Sequence, residues 1–400
     1  MKFRTTSLLL ILLLLTACTT ISIVTKFKRG DPIYPRKATV IEFELQRHKI
    51  MLPVGINNSG LSHNFLFDTG AMSAISIRLA DSLGLAPGVA LPTPVDSVKV
   101  HLTREPLSVN LPGVSVEDMF LVRFDFSNTF KISQVEGFIG SNLLRHFCVT
   151  IDYNLQQLVI SRSYPEWVSK VPSYRLDMTT SFPLYFPLID CTLNDSLAAK
   201  AMIDTGSPFL LVLPLEMFEE VVLASGADYI EASGVMAKWP YTTSDDCYLA
   251  RLPHISFGEL QLTDIPVLFA DLPSSSERLL LGKDFLDQFK TVLNYPESEL
   301  LLVPSGKPQF PDNLISTGLK VSRRDGKIIV RGFWQGSSAD RQGIQIDDEL
   351  LAIEGYNTAD LTLEEVRQFL TDEAASFVEV LIEQDGEKRS LKLVREPLLP

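Results

Sequence analysis

The tripeptide Asp-Thr-Gly occurs twice in this 400-residue chain, at Asp68-Thr69-Gly70 and Asp204-Thr205-Gly206, and each copy ends an apolar run. One copy would say little, since on equal residue frequencies it turns up in roughly one chain of this length in twenty. The surroundings, however, are duplicated too. Asn64-Phe65-Leu66-Phe67 and Lys200-Ala201-Met202-Ile203 precede the two copies, while Ala71-Met72-Ser73-Ala74-Ile75 and Ser207-Pro208-Phe209-Leu210-Leu211 follow them. Both read as strand, acid-bearing loop, strand. Two carboxylates brought together cannot both ionise easily, so they share a proton, one serving as base and the other as acid.

A second block follows each Asp at a similar distance, Gly137-Phe138-Ile139-Gly140 in the first half and Leu280-Leu281-Gly282 in the second. A shift of 142 residues superimposes Gly140 on Gly282, Leu144 on Leu286, Phe147 on Phe289, Tyr153 on Tyr295 and Leu158 on Leu300. A third block, from Ser115 to Asp125, pairs with Gln261 to Asp271 at a shift of 146. An internal repeat of this kind decides the fold. It also disfavours two unrelated turns in which Asp merely bonds its own backbone.

On these motifs, residues 40 to 303 resemble the retropepsin-like aspartic proteases, whose subunit carries one Asp-Thr-Gly loop and a later apolar-apolar-Gly packed beside it. The resemblance implies a mainly β chain with two fused acid-protease lobes related by a pseudo-two-fold, at 38–163 and 175–304. It implies a peptide or protein substrate, no cofactor and no metal. Asp68 and Asp204 would form the catalytic dyad, Thr69 and Thr205 would brace the two loops, and Gly70 and Gly206 would permit close backbone approach. Ala71 follows the first Gly and Ser207 the second. A Ser207 hydroxyl bonded to Asp204 would make Asp204 the ionised partner. Flap candidates are Leu91 to Pro106 and Ser233 to Cys247, the latter with Trp239 and Tyr241. The alternative is a non-catalytic envelope protein using the lobes as a peptide clamp, although an inert clamp has no need of two mutually repelling carboxylates.

Lys2 and Arg4 precede the apolar run Leu8 to Leu15, which is followed by Thr16-Ala17-Cys18. This is a secretory signal pattern, too short to span a membrane as a helix. Leu15-Thr16-Ala17-Cys18 resembles a bacterial lipobox, which implies a signal peptide at 1–17, lipidation of Cys18 and a tether at 18–37. Thr19, with no acidic run after it, favours an outer-membrane anchor facing the periplasm. Of the remaining cysteines, Cys148, Cys191 and Cys247, at most two can pair within a monomer. The histidines are scattered without metal-ligand spacing, and a net charge of −13 argues against nucleic acid.

Proline-bearing linkers at Ser163 to Arg175 and Pro304 to Asn313 separate the lobes and a last domain. There, Gly336-Ser337-Ser338-Ala339 with Gly343, followed by Asp348-Glu349-Leu350-Leu351-Ala352-Ile353-Glu354-Gly355, resembles a bacterial PDZ domain at 314–398, a small β-barrel with two helices. Thr362 and Glu365 predict a capping box opening an amphipathic helix. By resemblance, Thr317, Gly318 and Leu319 would form the loop that receives a C-terminal peptide carboxylate, beside a strand that accepts the peptide. Bracing of the lobes is the other reading of this domain.

Overall fold

The computed structural model describes residues 20–399 except 35–36, 47, 58, 93–99, 127–134, 239–242, 273–277, 307, 309, 311–313 and 373. Cys18 and the apolar run before it, the centre of the first expected flap, and Trp239 and Tyr241 of the second lie outside the described residues. The chain is mainly β. It divides into two compact units, one holding the described residues up to Asp190 with Lys200–Phe209 and Leu280–Pro308, the other holding Cys191–Ala199, Leu210–Leu279 and Gln309–Pro400. Both Asp-Thr-Gly copies fall in the first.

The centre of the first unit is strand His63–Asp68, flanked by Lys49–Ile56 and Gly137–Gly140. Phe65, Leu66 and Phe67 are all buried, so this strand shows no polar alternation, as expected where both faces are covered. Each such side chain contributes about 1.5–3 kcal/mol by leaving water. Strand Gly137–Gly140 runs parallel to it and sets Gly140 opposite Asp68. A methyl group on Gly140 would stand 2.2 Å from the Ala71 carbonyl oxygen, and one on Gly282 would stand 2.1 Å from that of Phe209. The glycine ending each apolar-apolar-Gly block therefore lets it pass directly under the chain that follows an acid-bearing loop.

The N-terminal segment expected as a tether is built into this unit. Residues 20–27 are helical, Phe27 is buried against Leu102 and Phe120, and strand Asp31–Ile33 pairs with Ser115, Val116 and Glu117. Its apolar positions Ile23 and Phe27, one helical turn apart, are what fasten it.

Two hairpins related by the repeat, Cys148–Asp152 with Gln157–Ser161 and Phe289–Asn294 with Glu299–Pro304, form the middle of a second sheet. Their inner strands are antiparallel neighbours, with Thr150 opposite Val292, its own mate under the 142-residue shift. Ile151 lies opposite Thr291 and Cys148 opposite Asn294. Such self-complementary pairing is what a two-fold axis produces, here within one chain. Asp152 and Lys290 close the pairing with a 2.7 Å ion pair. Thr39–Glu42 and Tyr174–Thr180 extend the two outer edges.

In the second unit, the long hairpin Cys247–Phe257 and Leu260–Ala270 carries Leu211–Pro214 as a parallel neighbour. Strand Tyr229–Gly234 pairs at its start with Tyr248, Leu249 and Ala250, and at its end with Gly332, Phe333 and Trp334. Sheet hydrogen bonding thus runs from the second lobe into the C-terminal domain. That domain packs Val321, Val330, Leu350, Ile353, Val378, Ile382 and Leu393 against Val366 and Leu370 of helix Leu363–Thr371. The capping box between Thr362 and Glu365 forms as its spacing predicts. Cys148, Cys191 and Cys247 are buried thiols outside any disulfide among the described residues.

Gly140→Ala and Gly282→Ala should each lower stability by about 1–3 kcal/mol, because backbone atoms must shift to admit the methyl group. Urea unfolding followed by tryptophan fluorescence would read the loss; a wild-type midpoint in either variant would show that the loops do not pack on these glycines.

Candidate active site

Asp68 is the last residue of its strand, and Asp204 directly follows strand Leu197–Ile203, its own N–H donating to the Leu281 carbonyl at 2.9 Å. The two loops then repeat one hydrogen-bond pattern. Gly70 N–H donates to Asp68 Oδ1 and Gly206 N–H to Asp204 Oδ1, each at 2.9 Å. Ser141 N–H reaches the Ala71 carbonyl, and Lys283 N–H the Ser207 carbonyl, again both at 2.9 Å. The repeat read from sequence is therefore a repeat of local geometry around each acid.

The loops are locked by their threonines. Thr69 N–H donates to Thr205 Oγ1 at 3.0 Å, and Thr205 N–H donates to Thr69 Oγ1 at 3.1 Å. Each hydroxyl donates onward, Thr69 to the Ile203 carbonyl at 2.7 Å and Thr205 to that of Phe67 at 3.3 Å. Both side chains are fully buried, so every one of these groups would be costly to leave unpaired. Threonine suits the position because one hydroxyl both accepts from the opposite amide and donates to a carbonyl.

The lock presses each carboxyl against the opposite loop's glycine. A methyl group on Gly70 would lie 2.5 Å from Asp204 Cγ, and one on Gly206 would lie 2.3 Å from Asp68 Oδ2. No residue but glycine fits at either point. The sequence pairing of Asp68 with Asp204, Thr69 with Thr205 and Gly70 with Gly206 is thus a spatial one.

Electrostatically, the two acids form one system. Burial raises both carboxyl pKa values, although each residue keeps some surface open to solvent. Asp204 is pushed up to about 7, by burial first and then by the charge on Asp68. The two carboxyls also hydrogen-bond each other, so the pair titrates as one unit that shares a proton. It is the Ser207 amide, not its hydroxyl, that donates to Asp204 Oδ1, at 3.2 Å. Two amides on Asp204 against one on Asp68 favour charge on Asp204, while burial and the Asp68 charge oppose it.

Lys49 is the residue that sequence reading missed. Its Nζ donates to the Gly206 carbonyl at 3.0 Å, and its charge lowers both acids. As the first residue of strand Lys49–Ile56, it reads in sequence as an ordinary polar strand end. Only folding brings it to the second loop, from far along the chain.

In the C-terminal domain, Thr317 and Gly318 join strand Ile315–Ser316 to strand Leu319–Arg324, so Leu319, expected in the loop, opens the strand instead, and the Gly318 and Leu319 amides are already engaged. Gly318 N–H donates to Ser316 Oγ at 3.0 Å and Leu319 N–H to Thr317 Oγ1 at 3.3 Å. Thr317 is buried, and Gly318 takes a φ of 81°, natural to glycine. Arg367 of the long helix reaches the Val321 carbonyl on the neighbouring strand at 3.4 Å.

Thr69→Val and Thr205→Val should each cost about 1–3 kcal/mol, the price of a stranded buried amide. In a double-mutant cycle read by urea unfolding, their effects should be strongly non-additive; simple additivity would mean that the reciprocal bonds are not formed.

Residues 189–285 match the family model described as aspartyl protease, and residues 309–383 match that of the PDZ domain. The first match spans the second Asp-Thr-Gly. Among curated proteins, the chain is similar to the carboxy-terminal processing protease CtpB of Bacillus subtilis (strain 168), at 30% identity over 119 residues, 29% of this chain. It spans about a quarter of that relative's length, 24%. The chain therefore carries an aspartyl protease domain and, following it, a PDZ domain suited to binding peptide or protein.

Proposed function

We propose that the protein is an aspartic-type endopeptidase in which Asp68 and Asp204 act on a water held between them. What supports this most directly is the reciprocal threonine lock, which presses each carboxyl onto the opposite loop's glycine. Asp68, ionised, takes a proton from the water as its oxygen attacks the peptide carbonyl carbon. Asp204 gives its proton to the carbonyl oxygen, and a neutral tetrahedral diol results. Asp204, now ionised, removes a proton from a diol hydroxyl as the C–O double bond reforms. Asp68 passes the proton it took to the departing nitrogen, the C–N bond breaks, and a carboxylic acid and an amine leave. All protons balance between the two acids, the water and the substrate.

The PDZ domain would recruit peptides or protein termini. A carboxylate entering at Thr317–Leu319 must displace the Ser316 and Thr317 side chains from the loop amides, which makes for modest affinity. The signal-like N-terminus and Cys18 support a lipid-anchored protein of the bacterial envelope, at the outer membrane facing the periplasm.

Asp68→Asn and Asp204→Asn should each lower peptide cleavage at least about a hundredfold, since each acid carries half of the proton transfer. Full activity in either folded variant would remove the mechanism. Asp204→Asn has a second signature. A carboxyl whose folded pKa is raised contributes stability that is fully present below about pH 4 and is lost as pH rises through about 7. The asparagine variant should therefore be more stable than the wild type at pH 8, with that advantage gone at pH 4. A variant less stable at pH 8 would contradict the raised titration of the pair.

The cleavage rate should fall as pH rises through the upper titration of the pair, about 7, where Asp204 loses its proton. In Lys49→Met that limb should move to higher pH, because removing a nearby cation disfavours the charged carboxylates, while Lys49→Arg should keep it near the wild-type position. A pH–rate profile across pH 3 to 9 decides it; an unmoved limb in Lys49→Met would exclude Lys49 from the electrostatics of the dyad.

A further inference from the structure

The N-terminal segment presents a face that the peptidase reading does not use. Helical residues 20–27 turn Ile23 and Phe27 inward and leave Ile21, Thr25, Lys28 and Arg29 exposed, the spacing of one helix face continued past its end. Ile21 is 65% exposed. At the other end of the helix Phe182, also 65% exposed, has Lys28 Nζ 5.0 Å from its ring centre. Lys26 and Arg29 lie over the Phe120 ring, and the Arg145 guanidinium both stacks on Tyr185 at 4.4 Å and donates to the Lys28 carbonyl at 2.6 Å. Arg29 is held in an ion pair by Asp118, so Lys26, Lys28 and Arg145 are the cations that lie near the outward-facing Phe182 and the N-terminal helix.

That composition is unusual for this chain. At a net charge of −13 it is repelled by anionic surfaces as a whole, so a local basic group decides which side can approach one. Exposed Phe and Ile beside Lys and Arg match the boundary of a lipid bilayer, where rings and aliphatic chains enter the headgroup layer while ammonium and guanidinium groups meet phosphate. The described chain begins at residue 20, two residues beyond Cys18, and it is fastened to the unit from Phe27 onward and through strand Asp31–Ile33.

We propose that this face, centred on Ile21, Lys28 and Phe182, is a docking surface for an anionic lipid bilayer. The inference rests on the envelope reading of the N-terminus. An acyl group on Cys18 then attaches to a docked segment rather than a free leash, and the first unit is held face-on to the membrane.

The test is sedimentation of the chain from Thr19 onward, which retains every described residue, with vesicles of phosphatidylglycerol and phosphatidylcholine. Binding should appear on phosphatidylglycerol-rich vesicles, be absent on pure phosphatidylcholine, and weaken with salt. Each basic residue near such a surface is worth about fivefold in partitioning, so the charge reversal Lys28→Glu should cost about 25-fold. Phe182→Ser should also weaken binding, and the binding that remains should still weaken with salt. Both substituted side chains are exposed, and unchanged thermal unfolding verifies the fold. No binding to anionic vesicles, or binding indifferent to both substitutions, overturns the proposal. Cleavage assays and acyl labelling at Cys18 are read separately, so failure of the peptidase or lipidation reading is distinguishable from failure of this surface.

Discussion

The reciprocal hydrogen bonds between Thr69 and Thr205 are the constraint on which the site depends. Each buried amide finds its acceptor only in the other loop, so neither loop can hold its conformation alone without stranding a polar group. Once the pair forms, the glycines that follow are forced against the opposite carboxyls, and the two acids are committed to share an environment. Beneath them, Gly140 and Gly282 carry no side chain that would hold the supporting strands away. Proximity of two like charges is unfavourable in itself; the cost is met by hydrogen bonds that do not involve the charges.

This arrangement explains why the chemistry at the centre is tunable. Burial and mutual repulsion raise the titration of the pair, while the backbone amides and the Lys49 ammonium pull it down. The balance leaves one proton for two acids below about pH 7. Lys49 acts through a flexible side chain on a strand end, whereas the amides are fixed by the loop. Of the opposing influences, it is therefore the one most easily altered by a single substitution.

The PDZ domain is joined to the second lobe by strand hydrogen bonds rather than by contact of side chains alone. Gly234 and Gly332 allow that approach, since a methyl group on Gly234 would stand 2.4 Å from the Arg331 carbonyl oxygen. A domain fastened in this way moves with the strand Tyr229–Gly234. Its expected carboxylate loop keeps its amides satisfied by Ser316 and Thr317, which protects the edge from unselective pairing.

The sequence by itself determined the duplication, the two acid-bearing loops, the apolar-apolar-Gly supports and the capped helix of the last domain. Each of these rests on local requirements: apolar runs for buried strands, glycine where backbone meets backbone, threonine where one hydroxyl must serve two partners. Only the tertiary structure decided that the titration of the pair is raised, because that turns on burial and on the proximity of the two acids, and that the Ser207 amide rather than its hydroxyl meets Asp204. It also decided that Lys49 stands at the Gly206 carbonyl and that residues 20–33 are part of a packed unit. Electrostatic environment and long-range packing are sums over residues distant in the chain, and no local pattern records them. The two-fold lies between these extremes: the 142-residue shift is legible in sequence, but the pairing of Thr150 with its own mate Val292 exists only once the hairpins meet.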